Sequence, residues 1–366
     1  SILRLTTIDN HSNSWSDAAT ENKYGRTGWN SSKEAVMRIS SCRIRGLIGA
    51  LALAFAIPAT TAPAKSADAV RVAMGDVVSV ETLAFVIALE RAKERGIAYE
   101  LTSFAKEDLA IQAVVNGQAD LGMGTPYTVM QKSKVPLKIL FQVTRLVFFP
   151  VVDNSYKTWK DLDGQPFVFN SRGSGTEAIG NIIAKREGIT FGQRSYIPGS
   201  ENRVIAMING QIKATIVDLA NKNLLLSKAG DRFHVLPGVD IPASDELLFG
   251  QAEWIEKNTD KVDIIVEELL KLWREMANDP SIIETERAKR NLLKDQPQEV
   301  ISGVTEFYTQ GVKEGIFHPS GGIDAAKADF EFYVEAGQLQ GPASELKVED
   351  FWDFGPLERA RKKLGG

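Results

Sequence analysis

Two stretches of the chain, Ala113-Val114-Val115-Asn116-Gly117-Gln118 and Ala206-Met207-Ile208-Asn209-Gly210-Gln211, repeat one pattern 93 positions apart. Each closes an apolar-periodic run and leads into a short apolar stretch, Ala119 to Met123 in the first copy and Ala214 to Val217 in the second. A glycine just past the last helical turn supplies the positive φ that lets the chain leave a helix without a Cβ clash. The pair therefore predicts two copies of a helix–turn–strand unit, and two α/β lobes of similar build. Asn-Gly is also common turn punctuation, so coincidence is the competing explanation; the flanking segments, which correspond as well, weigh against it.

Strands are predicted at Val70 to Met74, Tyr99 to Phe104 and Ala119 to Met123, with helices from Ser79 to Arg95 and from Glu107 to Asn116. Strands alternating with helices imply a largely parallel sheet. After an apolar, β-rich stretch from Lys138 to Val152, the scheme restarts at Phe167 to Asn170 and runs through a second helix–strand–helix–strand series to Val217. Leu236 to Pro242 reads as a return crossing, and the chain from about Asp245 on reads as mainly helical. The predicted division is 70–149 with 245–366 for one lobe and 150–244 for the other.

The first 36 residues are polar and aperiodic and read as an upstream or disordered segment. From Met37 the chain carries Arg38, Arg43 and Arg45, an 11-residue apolar run from Leu47 to Ile57, and small residues offering cleavage between Ala64 and Ala69. This is the pattern of a secretory signal peptide at 37–69; the run is too short for the roughly 30 Å hydrocarbon core of a membrane. Cys42 precedes the apolar run, so it does not mark a lipid anchor. Without residues 1–67 the net charge is about −8, which makes nucleic acid an unsuitable partner. An exported chain without cysteine has to rest on its hydrophobic core.

In parallel α/β sheets, ligands bind beyond the carboxyl ends of strands, where helix starts offer free N–H groups and a partial positive charge. Gly122-Met123-Gly124-Thr125-Pro126 and Ser171-Arg172-Gly173-Ser174-Gly175-Thr176-Glu177 are two such places, together able to clasp an anionic group. Each also has a plain structural role, with Thr125 and Thr176 as helix caps and the glycines as turns. Arg172 offers a fork for a carboxylate or sulfonate or else a solvated loop cation. Asp76 and Asp218 follow strands at the same edge, as acceptors for an amine or as caps. Tyr127, Phe148 and Phe149 either stack on an aromatic ligand or fill the core. His234 and His318 stand far apart with no ligand-spaced partner, so neither a metal nor a catalytic set is indicated. Gly173-x-Gly175-x-x-Ala178 fits a loose dinucleotide fingerprint, but the acidic residue expected about 20 positions on is missing.

Asn116-Gly117-Gln118-Ala119-Asp120-Leu121-Gly122, Trp159-Lys160-Asp161-Leu162-Asp163-Gly164, Ser171 to Thr176 and the run Asp350-Phe351-Trp352-Asp353 resemble the periplasmic solute-binding proteins of nitrate, sulfonate, taurine and thiamine-precursor ABC importers. The resemblance spans residues 70–364 in order. It departs at Arg95-Gly96-Ile97, where relatives often carry Gly-Tyr-Phe. It implies a type 2 periplasmic binding fold, α/β, with two lobes joined by two hinge crossings, and closure on a ligand that a membrane permease recognises. It carries ligand contacts onto Gly75, Asp76, Thr125, Ser171, Arg172, Gly173, Ser174, Gly175, Thr176 and Asp218. The expectation is a monomeric periplasmic receptor without cofactor, delivering a small organic anion, a carboxylate, sulfonate or pyrimidine-like acid, to an ABC permease. The alternatives are an exported α/β enzyme using dinucleotide or pyrimidine chemistry, and a receptor for another transporter or a sensor.

Overall fold

Short buried runs ending in glycine or polar residues set the strands of the first half of the chain. The computed structural model describes residues 69–366 apart from Ala105; the upstream segment, the signal peptide and Cys42 lie outside the described residues. Strand β1 (Val70–Met74), helix α1 (Leu83–Glu94), β2 (Tyr99–Ser103), α2 (Glu107–Val115), β3 (Leu121–Gly124), α3 (Tyr127–Met130) and β4 (Leu137–Gln142) follow in turn. The second series is β5 (Phe148–Asp153), β6 (Phe167–Phe169), α4 (Gly175–Glu187), β7 (Arg194–Tyr196), α5 (Ser200–Ile208), β8 (Ala214–Asp218), α6 (Leu219–Ala229) and β9 (Phe233–Val235). Strand β10 (Leu247–Gln251) then returns to the first sheet.

The two sheets have the same plan, in the orders β2-β1-β3-β10-β4 and β7-β6-β8-β5-β9. In each, four of the five strands run the same way, as expected of a largely parallel sheet, and the strand that has crossed from the other sheet lies antiparallel between the third and the edge. The sheets are mixed at that one strand, because it enters from the opposite end. The repeat has an atomic basis. Gly117 and Gly210 stand at φ 69° and 73°, and the amides of Gln118 and Gln211 both reach back 2.8 Å to the carbonyls of Ala113 and Ala206. This is one helix-ending turn built twice.

One element departs from the helical reading of the chain beyond Asp245, and one helix ahead of it was not anticipated. Leu247–Gln251 is a buried strand in the middle of the first sheet, and Leu219–Ala229 is a helix following Asp218 directly. A run as short as Leu-Leu-Phe-Gly has no readable period, and its neighbours Asp245 and Glu246 hide its start. Beyond it come α7 (Ala252–Lys257), α8 (Thr259–Asn278), α9 (Ile282–Lys289), α10 (Gln298–Ser302), α11 (Val304–Lys313), α12 (Ala325–Glu335), α13 (Val348–Phe351) and α14 (Gly355–Lys363). Helix α8 buries Val262, Ile265, Val266, Leu269, Leu272, Trp273 and Met276, an i, i+3, i+4, i+7 stripe. That stripe packs with α1, α11 and α14 in one core with the first sheet.

The two crossings lie side by side. Val143 N and Thr144 N donate to Glu246 O, Asp245 N to Thr144 O, and Leu146 N to Ala243 O, at 2.8 to 3.1 Å. Strand β5 pairs with β8 from Phe148 onward, so the first crossing is 143–147; the segment from Phe149 to Asp153 is sheet. Beneath the crossings, Asp329 of α12 accepts from Ser244 N at 2.6 Å, Ser244 Oγ at 2.8 Å and Tyr127 Oη at 2.6 Å, while Tyr333 Oη donates to Ser244 O at 2.6 Å. Tyr127, expected as a stacking or core residue, is wholly buried in this network.

Candidate functional site: a cleft between the two sheets

The carboxyl ends of β1, β3, β6 and β8 face one cavity of about 130 Å3. After β1 the wall is Gly75 and Asp76, joined by Glu81, Thr82 and Glu107 from the segments that open α1 and α2. On the other side stand Asn170, Ser174, Gly175 and Thr176 after β6, then Ser200 and Arg203 of α5, and Asp218 at the end of β8. The crossings add Thr144, Arg145, Phe148, Asp245 and Glu246, and Phe307, Ile316 and Phe317 form an apolar face. Each parallel strand hands over at its carboxyl end to a loop and a helix start, which is why both sheets deliver residues to the same space.

Of the ten residues expected at a site, Gly75, Asp76, Ser174, Gly175, Thr176 and Asp218 line this cavity. Thr125 lies beneath it, 3% exposed, with Oγ1 donating to Asp245 O at 2.8 Å. Ser171 is buried behind the loop. Arg172 points to solvent over the Tyr196 ring, 4.9 Å from its centroid. Gly173 donates its N–H to Glu177 Oε2 at 2.8 Å, outside the cavity. Of the aromatic candidates, Phe148 faces the space and Phe149 lies under Lys222 Nζ at 4.2 Å.

Several lining residues were missed at the sequence level: Glu81, Glu107, Arg145, Arg203, Asp245 and Glu246. They come from five separated segments, and only the doublet Asp245-Glu246 ahead of an apolar run offered a local signal. Together with Asp76 and Asp218 they put six carboxyl groups and two guanidinium groups on the wall. Burial, followed by the repulsion of the neighbouring acids, pushes the Asp76 carboxyl up to about 6 and those of Glu81, Asp245 and Glu246 well above the usual range. Burial lowers Arg203 to about 10.

Arg203 is used up by its own lobe. Its Nε donates to Ile216 O, Nη1 to Asn170 Oδ1 and Ile197 O, and Nη2 to Ser200 Oγ, at 2.8 to 3.2 Å. One N–H at each of three helix starts is likewise taken by the chain itself. Thr125 N donates to the Glu107 carboxylate, and the Ser174 hydroxyl caps α4 at Glu177 N. Asp218 caps α6 at Asn221 N, 2.9 Å away. A Cβ on Gly175 would collide with Leu146 and stand 2.8 Å from Asp245 Oδ1, so the first turn of α4 is already faced by a carboxylate. His234, bound to Asn154, and His318, bound to Ser320, both stand off the lining.

A family model described as NMT1/THI5 like matches residues 85–283, more than half of the chain. No curated protein matches in sequence. Among solved structures, a protein of Bordetella bronchiseptica RB50 is 17% identical, with a TM-score of 0.64 over 82% of this chain and 98% of its own. The periplasmic nitrate-binding protein NrtA of Synechocystis PCC 6803 is 13% identical, with 0.63 over 81% and 89%. The ligand-binding component of an ABC-type import system of Staphylococcus aureus, with zinc bound, is 13% identical, with 0.61 over 80% and 99%. The fold is that of the periplasmic binding proteins. With a matched span that runs from α1 through both crossings into α9, the chain belongs to the NMT1/THI5-like family.

Proposed function

We propose that the chain is the exported ligand-binding component of an ABC import system, a monomer that captures a small organic molecule between two lobes and presents the closed form to a permease. The observation that carries this reading is the cavity walled by both sheets and both crossings, with strand ends converging from each side. Two fold neighbours support it, one described as the ligand-binding component of an ABC-type import system and one as a periplasmic nitrate-binding protein. Among the described residues no helix is long and apolar enough to cross a membrane. The lobes divide at the two crossings, 143–147 and 236–246, and Asp76, Thr176 and Asp218 meet the ligand. The receptor performs no chemistry on what it binds.

The test is a thermal-shift screen of the protein against a library of small metabolites, followed by small-angle scattering with each hit. A ligand present at 100 times its Kd adds about 2.7 kcal/mol, a shift on the order of several degrees for a chain of this size. Stabilisation with a smaller radius of gyration supports a closing receptor. Conversion of the bound compound to a product during incubation refutes it in favour of an exported enzyme.

A further inference from the structure

The acid-rich wall narrows the cargo, and the argument rests on the receptor reading above. An anion entering this cavity finds one N–H at each of three helix starts, those of Thr125, Glu177 and Asn221, occupied by Glu107, Ser174 and Asp218, and Asp245 set against the start of α4. It finds four of the five N–H groups of Arg203 committed to three carbonyl or amide oxygens and a serine. Arg145, also on the lining, donates Nε to Gln142 Oε1 at 3.3 Å and keeps its two Nη groups for whatever enters. What the wall offers in quantity is acceptors. Glu246 Oε2 is buried on the lining and accepts no hydrogen bond. No hydrogen bond reaches the Asp245 carboxylate from the described residues, and Asp76 takes only its neighbour's amide, Val77 N, at 2.6 Å.

A buried acceptor without a donor costs on the order of 1–3 kcal/mol, more when charged, so a chain keeps several together only where something else completes them. The carboxyls are spread round the wall rather than focused on a point, and among the described residues no three acidic or histidine side chains come together as a metal site. The same wall carries the apolar side chains of Phe148, Phe307, Ile316 and Phe317. With about 10–15 Å3 for each water-sized group, 130 Å3 takes on the order of ten non-hydrogen atoms.

We infer that the cargo is a small organic cation, a protonated amine or amidinium on an apolar or aromatic body, whose N–H groups complete Glu246, Asp245 and Asp76 while its body lies on the phenylalanine face. Glu81 and Asp218 face each other across the lobes, with Asn221 Nδ2 3.4 Å from Glu81 Oε1. The cation thus enters a field that also contains Glu107, Glu201 and the two arginines. Acids held partly protonated in the empty cleft lose their protons to the incoming charge, so capture releases protons and tightens as pH rises.

The test uses a charge series on one body: benzylamine and benzamidine as cations, benzyl alcohol as the neutral control, benzoate and benzenesulfonate as anions. Binding is followed by thermal shift and calorimetry at pH 7.5 and 5.5, with compaction followed by scattering. The cations are expected to bind at least tenfold tighter than the alcohol at pH 7.5, more weakly at pH 5.5, and with proton release seen as a buffer-dependent heat. Glu246→Gln and Asp245→Asn should each lower cation affinity about tenfold while leaving far-ultraviolet circular dichroism intact. Independently of any ligand, Glu246→Gln should raise the melting midpoint by a few degrees, since it removes an unpaired buried acid. If benzoate or benzenesulfonate binds tightest and compacts the protein, or the neutral alcohol does, the cation assignment fails and the receptor reading stands. If no member binds at 10 mM and none alters the radius of gyration, the cation assignment fails, and the receptor reading is decided by the library screen.

Discussion

Asp76 sits where its charge is least welcome, on a loop beside Glu201 and Asp218 and largely out of water. Its carboxyl is pushed up to about 6 by burial first and by those acids second. A folded-state value above the unfolded one means that the folded chain holds the extra proton between about pH 4 and 6, so this group favours the folded state at low pH, and that contribution is lost as pH rises through about 6. Asp76→Asn should therefore leave stability nearly unchanged near pH 4 and raise it at pH 7.5 by up to about 3 kcal/mol, taking 1.36 kcal/mol per unit. Urea denaturation of both proteins at the two pH values measures the difference. An equal change at both values would show that the group is not penalised by its surroundings. The buried Asp329, also raised to about 6 by burial, differs in being fully hydrogen-bonded. Asp329→Ala orphans Ser244 N and the Ser244 and Tyr127 hydroxyls, and a loss of about 2–4 kcal/mol is expected in the same urea experiment.

The element that recurs, helix followed by glycine and strand, was legible because its cause is local. Nothing lies within 4 Å of a Cβ on Gly117 or Gly210, so a positive φ alone demands glycine at both. Gly117→Ala and Gly210→Ala should then cost the same, about 1 kcal/mol each, and should add in the double variant, since they lie in separate sheets. Unequal costs, read from urea midpoints at constant slope, would mean that the two turns are not one device used twice. Elements whose identity comes from tertiary context could not be read in this way. Strand β10 is helix or strand only according to what lies on either side of it, and here β3 and β4 decide. The cleft was half legible for the same reason. Glycines and hydroxyls after strands mark Gly75, Asp76, Ser174, Thr176 and Asp218, whereas Glu81, Glu107, Asp245 and Glu246 look like ordinary surface acids until the topology gathers them. The expectation of an anionic cargo rested on helix starts read locally, where the carboxylates brought to them from other segments, Glu107 at Thr125 and Asp245 beside Gly175, leave no sign in the sequence.

At the scale of the whole molecule, helices and loops flanking the two sheets meet in two places, and the two contacts differ in kind. On the side of α12 the contact is extensive: Arg186 forks onto Glu335 at 2.7 and 2.8 Å, Asn181 Nδ2 donates to Ala336 O at 3.0 Å, and Gln338 Nε2 donates to Ser174 O at 3.2 Å. On the far side it is slight, with Asn223 Nδ2 on Gln310 Oε1 at 3.1 Å and Asn221 near Glu81. Rotation about crossings 143–147 and 236–246 would separate the slight contact first and keep the α12 side as the axis. Asn223→Ala with Gln310→Ala removes an exposed hydrogen bond made only when that contact is shut, so it should leave urea stability within about 0.5 kcal/mol. It should also release up to about 1 kcal/mol of closing energy, and a change of that size lowers the affinity of every ligand by about fivefold whatever its charge. Scattering of the ligand-free double variant should show a larger radius of gyration than the parent protein. The matching change at the other contact, Arg186→Ala, should not, because the many contacts around α12 remain. If Arg186→Ala opens the protein and the Asn223 and Gln310 pair does not, the axis lies on the other side and the crossings are not the only hinge.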